Sequence, residues 1–170
     1  NAMCLFYDDV INNRNVNIEP LRQQCERILD KLHEDADALV CLSATPYESE
    51  YPSRHSLHVA NLAMAIGLET GISRADMINL GIGCLIHDVG MQQIGLHAFE
   101  SKAKLSTSAL NRLSDHPVHA VEFEIRRGRE VSMASCLVVY QIHERLDGSG
   151  YPRGITGSEI HSLSKIAAVA

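Results

Sequence analysis

Four histidines and one aspartate raise the first chemical question of this sequence: His55, His87 with Asp88 beside it, His116 and His143. Nine histidines in 170 residues is a rich count, and these four fall one to a predicted helix or helix end, so a bundle could bring them together. A carboxylate next to an imidazole at the end of an apolar helix is costly unless something compensates it. A divalent cation does so, because neutral imidazole and carboxylate are its ordinary ligands. Blander readings stand beside this one. A lone buried histidine is commonly a hydrogen-bonded core residue, and His-Asp at a helix end also serves as a plain C-terminal cap. The segment "HERLDGSGYPRG" (143–154) poses the same choice, since residues 147–152 hold two glycines and a proline. Such a path cannot stay helical, and it is either a helix stop or the wall of a site.

The elements that would position these groups are read from apolar spacing. Residues 18–42 carry Ile18, Leu21, Cys25, Ile28, Leu29 and Leu32 at helical intervals with a polar opposite face. "SATPYESEYP" (43–52) reads as a linker. A helix restarts near Ser53 and carries Leu57, Val59, Leu62, Ala63 and Ile66 towards Gly71. Ser73 and Asp76 fit a capping box with Asp in place of the usual Glu, and the helix they open runs to Ile86, meets His87-Asp88 and stops near Gly90. Ser106 or Thr107 starts a helix over Leu110 and Leu113, and Pro117 restarts the chain for a helix ending at "RRGR" (126–129). Residues 131–144 read as one more helix, apolar almost all round and therefore central. No period-2 strand is found, so the expected fold class is all-α.

Composition narrows the partners. The chain is 45% hydrophobic, with 5% aromatic residues and no Trp, so aliphatic side chains and Ala must fill the core. A formal net charge of −6 leaves no broad basic face for sequence-independent DNA binding. A small anionic ligand remains compatible, because metal ions or a few arginines neutralise it locally. Cys4, Cys25, Cys41, Cys84 and Cys136 are scattered without a C-x-x-C pair. They read as small buried apolar residues in a reducing compartment, with neither a disulfide frame nor a zinc knuckle. No signal peptide or bilayer-length apolar run is read, so the expected location is cytoplasmic. Asn1-Ala2 is taken as a tag remnant ahead of a start at Met3.

In order and spacing, His55, the "HD" at 87–88, the "HP" at 116–117 and the string at 143–154 resemble the HD-GYP branch of the HD-domain metal-dependent phosphohydrolases. The specific part is Asp-Gly-x-Gly-Tyr-Pro-x-Gly; a lone His-Asp pair would be weak. The resemblance implies an HD-GYP domain over residues 47–170, truncated at its C-terminus, behind a helical extension over residues 1–46. It implies a helical bundle whose GYP loop (Asp147, Gly148, Gly150, Tyr151, Pro152) lies beside a metal pocket, and hydrolysis of the bacterial messenger cyclic di-GMP. Position by position, His55, His87 and Asp88 resemble ligands of a first ion, with Asp88 bridging to a second and taking the catalytic place. His116 and His143 resemble ligands of that second ion or its neighbour. Arg153 would meet substrate phosphate, with a plain exposed arginine as the equal alternative. Tyr151 and Pro152 are expected to shape the loop. The implied cofactors are one or two divalent ions, iron, manganese or similar. His33, His58, His97, His119 and His161 have no place in the motif and read as surface or packing residues.

Three positions depart from the family's pattern. Met91 stands where Lys is usual, Ile142 replaces the first His of a His-His-Glu triplet, and Ala170 is reached where the next helix of the family leads to a ligating Asp. They support a second implication, a catalytically degenerate HD-GYP domain serving as a nucleotide-binding or protein-interaction module in signalling. An HD-type phosphohydrolase with a different substrate is a third. The partners implied are a cyclic dinucleotide or other small phosphoester, with room for an upstream sensor or partner protein and for a homodimer. Neither DNA nor a membrane is expected.

Overall fold

The computed structural model describes residues 2–12, 14–43, 52–94, 106–126 and 130–170. Its helices are α1 (Ala2–Ile11), α2 (Glu19–Ser43), α3 (Ser53–Glu69), α4 (Arg74–Ile86), α5 (Met91–Ile94), α6 (Thr107–Ser114), α7 (His116–Arg126), α8 (Met133–Gln141) and α9 (Ser162–Ala167). Among the described residues there is no strand, only an isolated antiparallel bridge between Asp147 and Thr156. The fold is all-α.

The helical spacing seen in residues 18–42 buries Leu21, Cys25, Ile28, Leu29 and Leu32 against the rest of the bundle. α2 is not straight. Asp35 adopts extended backbone (φ −160°, ψ 90°), and its carboxylate accepts the Ala38 N–H at 2.9 Å, which caps the second half of the helix anew. α4 is the centre of the core, with Met77, Ile78, Leu80, Ile82, Cys84, Leu85 and Ile86 all buried, and it packs against α2, α3 and α8.

The helix expected over 131–144 is shorter, packing against α4, α7 and α9 with Val138 and Val139 buried. Ser132 caps its start by accepting the Ser135 N–H, Ile142 is its C-cap, and Met133 is 62% exposed. Ser73 caps α4 as expected by accepting the Asp76 N–H. The Asp76 carboxylate, one methylene shorter than Glu, takes the Ser73 hydroxyl at 2.8 Å instead. Ser106 caps α6. The linker residues 44–51, residues 127–129 of "RRGR" and His97 lie outside the described residues.

The cysteine reading needs correction: Cys25 and Cys84 are buried, but Cys4 and Cys41 are exposed. A thiol at a helix surface costs little, so residue type alone overstated burial. Among the described residues, no helix is long and apolar enough to cross a membrane.

Candidate metal centre

Four helix ends converge on one point. His55 sits in the first turn of α3, His87 is the C-cap of α4 with Asp88 next to it, His116 opens α7, and His143 follows the C-cap of α8. Gly90, in the turn between α4 and α5, makes the close approach of α7 possible. A Cβ built there would lie 2.0 Å from the His116 carbonyl oxygen and 2.7 Å from the Ala120 nitrogen, so only a residue without a side chain lets α7 rest on this turn.

Asp88 is the hub. Its Oδ1 lies 3.2 Å from His87 Nε2 and 3.5 Å from His116 Nε2, and its Oδ2 lies 3.7 Å from His55 Nε2. The His116 and His143 rings meet edge-on at 4.8 Å between centroids, and the His55 and His87 rings lie 5.4 Å apart. His87, Asp88 and His116 are buried, while His55 is exposed. Two groups of three therefore have ligand atoms close enough to share an ion: His55, His87 and Asp88, and Asp88, His116 and His143. They share the aspartate. The structure thus brings together every histidine of the expected set.

The rings are held in the form a cation needs. His87 Nδ1 lies 2.7 Å from the Cys84 carbonyl oxygen, and His116 Nδ1 lies 2.6 Å from that of Leu113. A carbonyl only accepts, so Nδ1 carries the proton and Nε2 presents its lone pair inward. The buried Nε2 atoms of His116 and His143 have no hydrogen-bond partner among the described residues. An unpaired buried nitrogen is expensive, and a divalent ion between such nitrogens and a carboxylate relieves the cost. The residues present fit the group that the pattern implies.

Burial, followed by the neighbouring His87 and His116 rings, pulls the His143 pKa down to about 3, and burial also lowers those of His55 and His116. Neutral imidazole is the ligating form. These folded-state values lie below the unfolded value, so the unfolded chain binds more protons once pH drops under about 6.5. Stability is therefore fully present above that pH and is lost as pH falls towards 3, by up to about 1.4 kcal/mol per pH unit for a histidine as buried as His143. Thermal melts of metal-free protein should show a flat Tm between pH 7 and 8.5 and a steady fall below pH 6, reduced in His143→Gln. A Tm at pH 5 equal to that at pH 7.5 would contradict the assignment of buried neutral rings.

A cavity of about 270 Å³ opens onto this cluster, lined by His55, Asp88, Met91, Leu113, His116, His143 and Tyr151. Met91 and Leu113 give it an apolar wall. Tyr151 stacks on His143 with ring centroids 4.9 Å apart and planes 17° from parallel, which holds the imidazole plane. Burial, then the charge of Asp88, pushes the Tyr151 phenol up to about 12, so it remains a hydrogen-bond donor in the cavity.

Glu144 fixes the loop that carries Tyr151. It is 3% exposed, and its carboxylate accepts the Arg153 N–H at 2.8 Å and the Ile155 N–H at 3.2 Å, while the Tyr151 N–H donates to the His143 carbonyl at 3.1 Å. Gly150 permits this fold-back, since a Cβ there would lie 2.3 Å from the Arg145 nitrogen. The sequence reading gave Glu144 no role. An acid four residues before the first glycine of a turn whose N–H groups need acceptors was the available signal.

The remaining loop residues sit elsewhere. Pro152 follows Tyr151 through a cis peptide, and Gly148 has φ +77°. Asp147 is exposed and accepts the Ser149 N–H and hydroxyl at 3.0 and 2.6 Å, which holds its carboxyl below the usual range. Arg153 is exposed and does not line the cavity. Of the histidines outside the motif, His161 caps α9 by accepting the Leu163 N–H, and His33 pairs with the Leu29 carbonyl. A larger groove of about 420 Å³ runs past Leu146, Asp147, Ile160, Lys165, Ala168 and Val169. It holds neither group of three, so the smaller cavity is where the chemistry converges.

The chain resembles known proteins in sequence and in fold. The chain is 30% identical to the cyclic di-GMP phosphodiesterase PdeB of Borreliella burgdorferi over 72% of its own length and 32% of that protein. It is 27% identical to the 3'3'-cGAMP-specific phosphodiesterase 3 of Vibrio cholerae over 94% of its own length and 34% of that protein. It thus spans about a third of the length of these relatives. In fold it matches Bd1817, an HDG"Y"P protein of Bdellovibrio bacteriovorus, with a TM-score of 0.80 at 18% identity, over 99% of this chain and 54% of that one. The HD-domain family profile matches residues 16–170, which takes in α2 as well as the helices that bear the cluster. The chain belongs to the HD-domain family.

Proposed function

We propose that this chain is the hydrolytic domain of a metal-dependent phosphodiesterase acting on cyclic dinucleotides in bacterial signalling, with cyclic di-GMP as the first substrate to test. The observation that carries the reading is the pair of ligand groups joined at Asp88. His55, His87 and Asp88 would hold one ion, and Asp88, His116 and His143 a second. Divalent ions there would supply Lewis acidity to a phosphodiester and to water. Nitrogen and oxygen donors suit iron or manganese. The chain's own groups do the rest. Cys84 and Leu113 carbonyls hold the His87 and His116 rings in one tautomer. Tyr151 offers a phenol proton into the cavity, and Met91 and Leu113 keep one wall dry. Relatives named as acting on cyclic di-GMP and on 3'3'-cGAMP support a cyclic dinucleotide as substrate.

A second reading, a signalling module that binds without turnover, is favoured by two residues. Met91 is 1% exposed within the cavity and Ile142 is 6% exposed beside His143, and neither brings a donor to an ion or a charge to a phosphate. The assay is turnover of cyclic di-GMP, 3'3'-cGAMP and a panel of mononucleotides with Mn²⁺ or Fe²⁺ and with chelator. Chelator-sensitive release of linear dinucleotide or mononucleotide is expected. Metal-loaded, folded protein that binds cyclic dinucleotide and leaves it intact would contradict the enzyme and establish the module.

A further inference from the structure

Tyr7 lies on α1, a helix to which the sequence assigns no chemistry. It is 3% exposed, and its hydroxyl oxygen lies 3.1 Å from the Leu85 carbonyl oxygen and 2.9 Å from Ser56 Oγ. A phenol has a single proton and a carbonyl only accepts, so Tyr7 donates to Leu85 and the Ser56 hydroxyl donates to Tyr7. Both partners adjoin metal-type ligands. Ser56 is fully buried and directly follows His55. Leu85 lies two residues before His87, at the end of α4, where helix carbonyls lose their intrahelical partners. There, Cys84 accepts the His87 ring proton, Leu85 accepts the Tyr7 hydroxyl, and Ile86 accepts the Val89 N–H. One of these three acceptors is thus satisfied from a helix 78 residues away in sequence. Burial, then the charge of Asp88, pushes the Tyr7 phenol well above its ordinary value, which keeps its proton in place.

We infer that Tyr7 is a positioning residue for the His55–His87–Asp88 half of the centre, because its hydroxyl ties the turn that carries His55 to the turn that carries His87. The inference rests on the reading that this group of three holds an ion. It is specific to one half. His116 and His143 come from α7 and from the end of α8, whereas among the described residues the Tyr7 hydroxyl bonds to α3 and α4. The ring's packing, including its edge contact with Phe6 at 5.6 Å between centroids, survives in phenylalanine, so Tyr7→Phe isolates the hydroxyl.

The test is a stepwise Mn²⁺ titration by calorimetry on the whole chain as wild type, Tyr7→Phe and Ser56→Ala, with thermal melts of the metal-free proteins. In Tyr7→Phe, one ion should bind as in wild type and the other about 10–100-fold more weakly, the cost usual for losing a group that orients a ligand. Ser56→Ala keeps Tyr7 and its bond to Leu85, should shift the same ion in the same direction, and decides the matter by the same criterion if Tyr7→Phe does not fold. A lowered Tm with both affinities unchanged would show packing alone and overturn the inference, as would equal weakening of both ions. Wild-type protein that binds no ion would instead overturn the metal reading on which the inference stands.

Discussion

Asp88→Asn should leave a folded helical protein that has lost tight binding of both ions and, with it, turnover. Asp88 is the one acid of the cluster and belongs to both groups of three. Asparagine keeps its shape, but it offers one neutral oxygen and turns an N–H₂ toward the place of a cation. Affinity for each ion should fall by well over 100-fold, beyond the roughly 10–100-fold that loss of a supporting contact costs. A ligand at a thousand times its Kd stabilises a fold by about 4 kcal/mol. In a chain of this size that raises Tm by on the order of 10 °C. Wild-type protein should show that rise on adding Mn²⁺, and Asp88→Asn should show almost none. Helical circular dichroism should match wild type in both. A variant that gains as much Tm from Mn²⁺ as wild type would remove Asp88 from the centre.

Gly90→Ala should be strongly disruptive for a single added methyl group. The new carbon would meet the His116 carbonyl oxygen at 2.0 Å and the Ala120 nitrogen at 2.7 Å, both of them backbone. No rotamer relieves such a clash, so α7 must move, and it takes His116 away from Asp88. Overpacking that side chains can absorb costs about 1–3 kcal/mol, and a backbone collision belongs at or above the top of that range. Melts should show a Tm lower by on the order of 10 °C, and metal analysis should show loss of the ion held by His116 and His143. Gly67→Ala is the control. Its added carbon meets the ends of Met77 and Ile72 side chains at 2.7 and 3.0 Å, which can turn aside, so a smaller loss is expected. A Gly90→Ala protein that melts within about 2 °C of wild type and holds its full metal content would refute this account of the contact between the Gly90 turn and α7.

The sequence made the chemistry of the centre readable because that chemistry is carried by residue type and order. His55, His87, Asp88, His116 and His143 could be picked out without coordinates, and the helices bearing them follow from apolar spacing, from the cap at Ser73 and from the restart at Pro117. What was not legible depends on partners distant in the chain. Tyr7 looks like one aromatic in a short apolar stretch until Ser56 and Leu85 are seen against its hydroxyl, 49 and 78 residues on. The helix read over 131–144 ends at Gln141, and beyond it the His143 carbonyl accepts the Tyr151 N–H while the Glu144 carboxylate accepts the N–H groups of residues 153 and 155, loop contacts that helical periodicity does not register. The bend at Asp35 is equally hidden, since apolar spacing runs unbroken up to it. Four-residue α5 is too short to show a period.

Anomalous diffraction from crystals grown with Mn²⁺ tests the centre most directly. Peaks on either side of the Asp88 carboxylate, one beside His55 and His87 and the other beside His116 and His143, are the predicted result. A well-ordered map without a peak in that cavity, or with manganese only at surface carboxylates, would contradict the account.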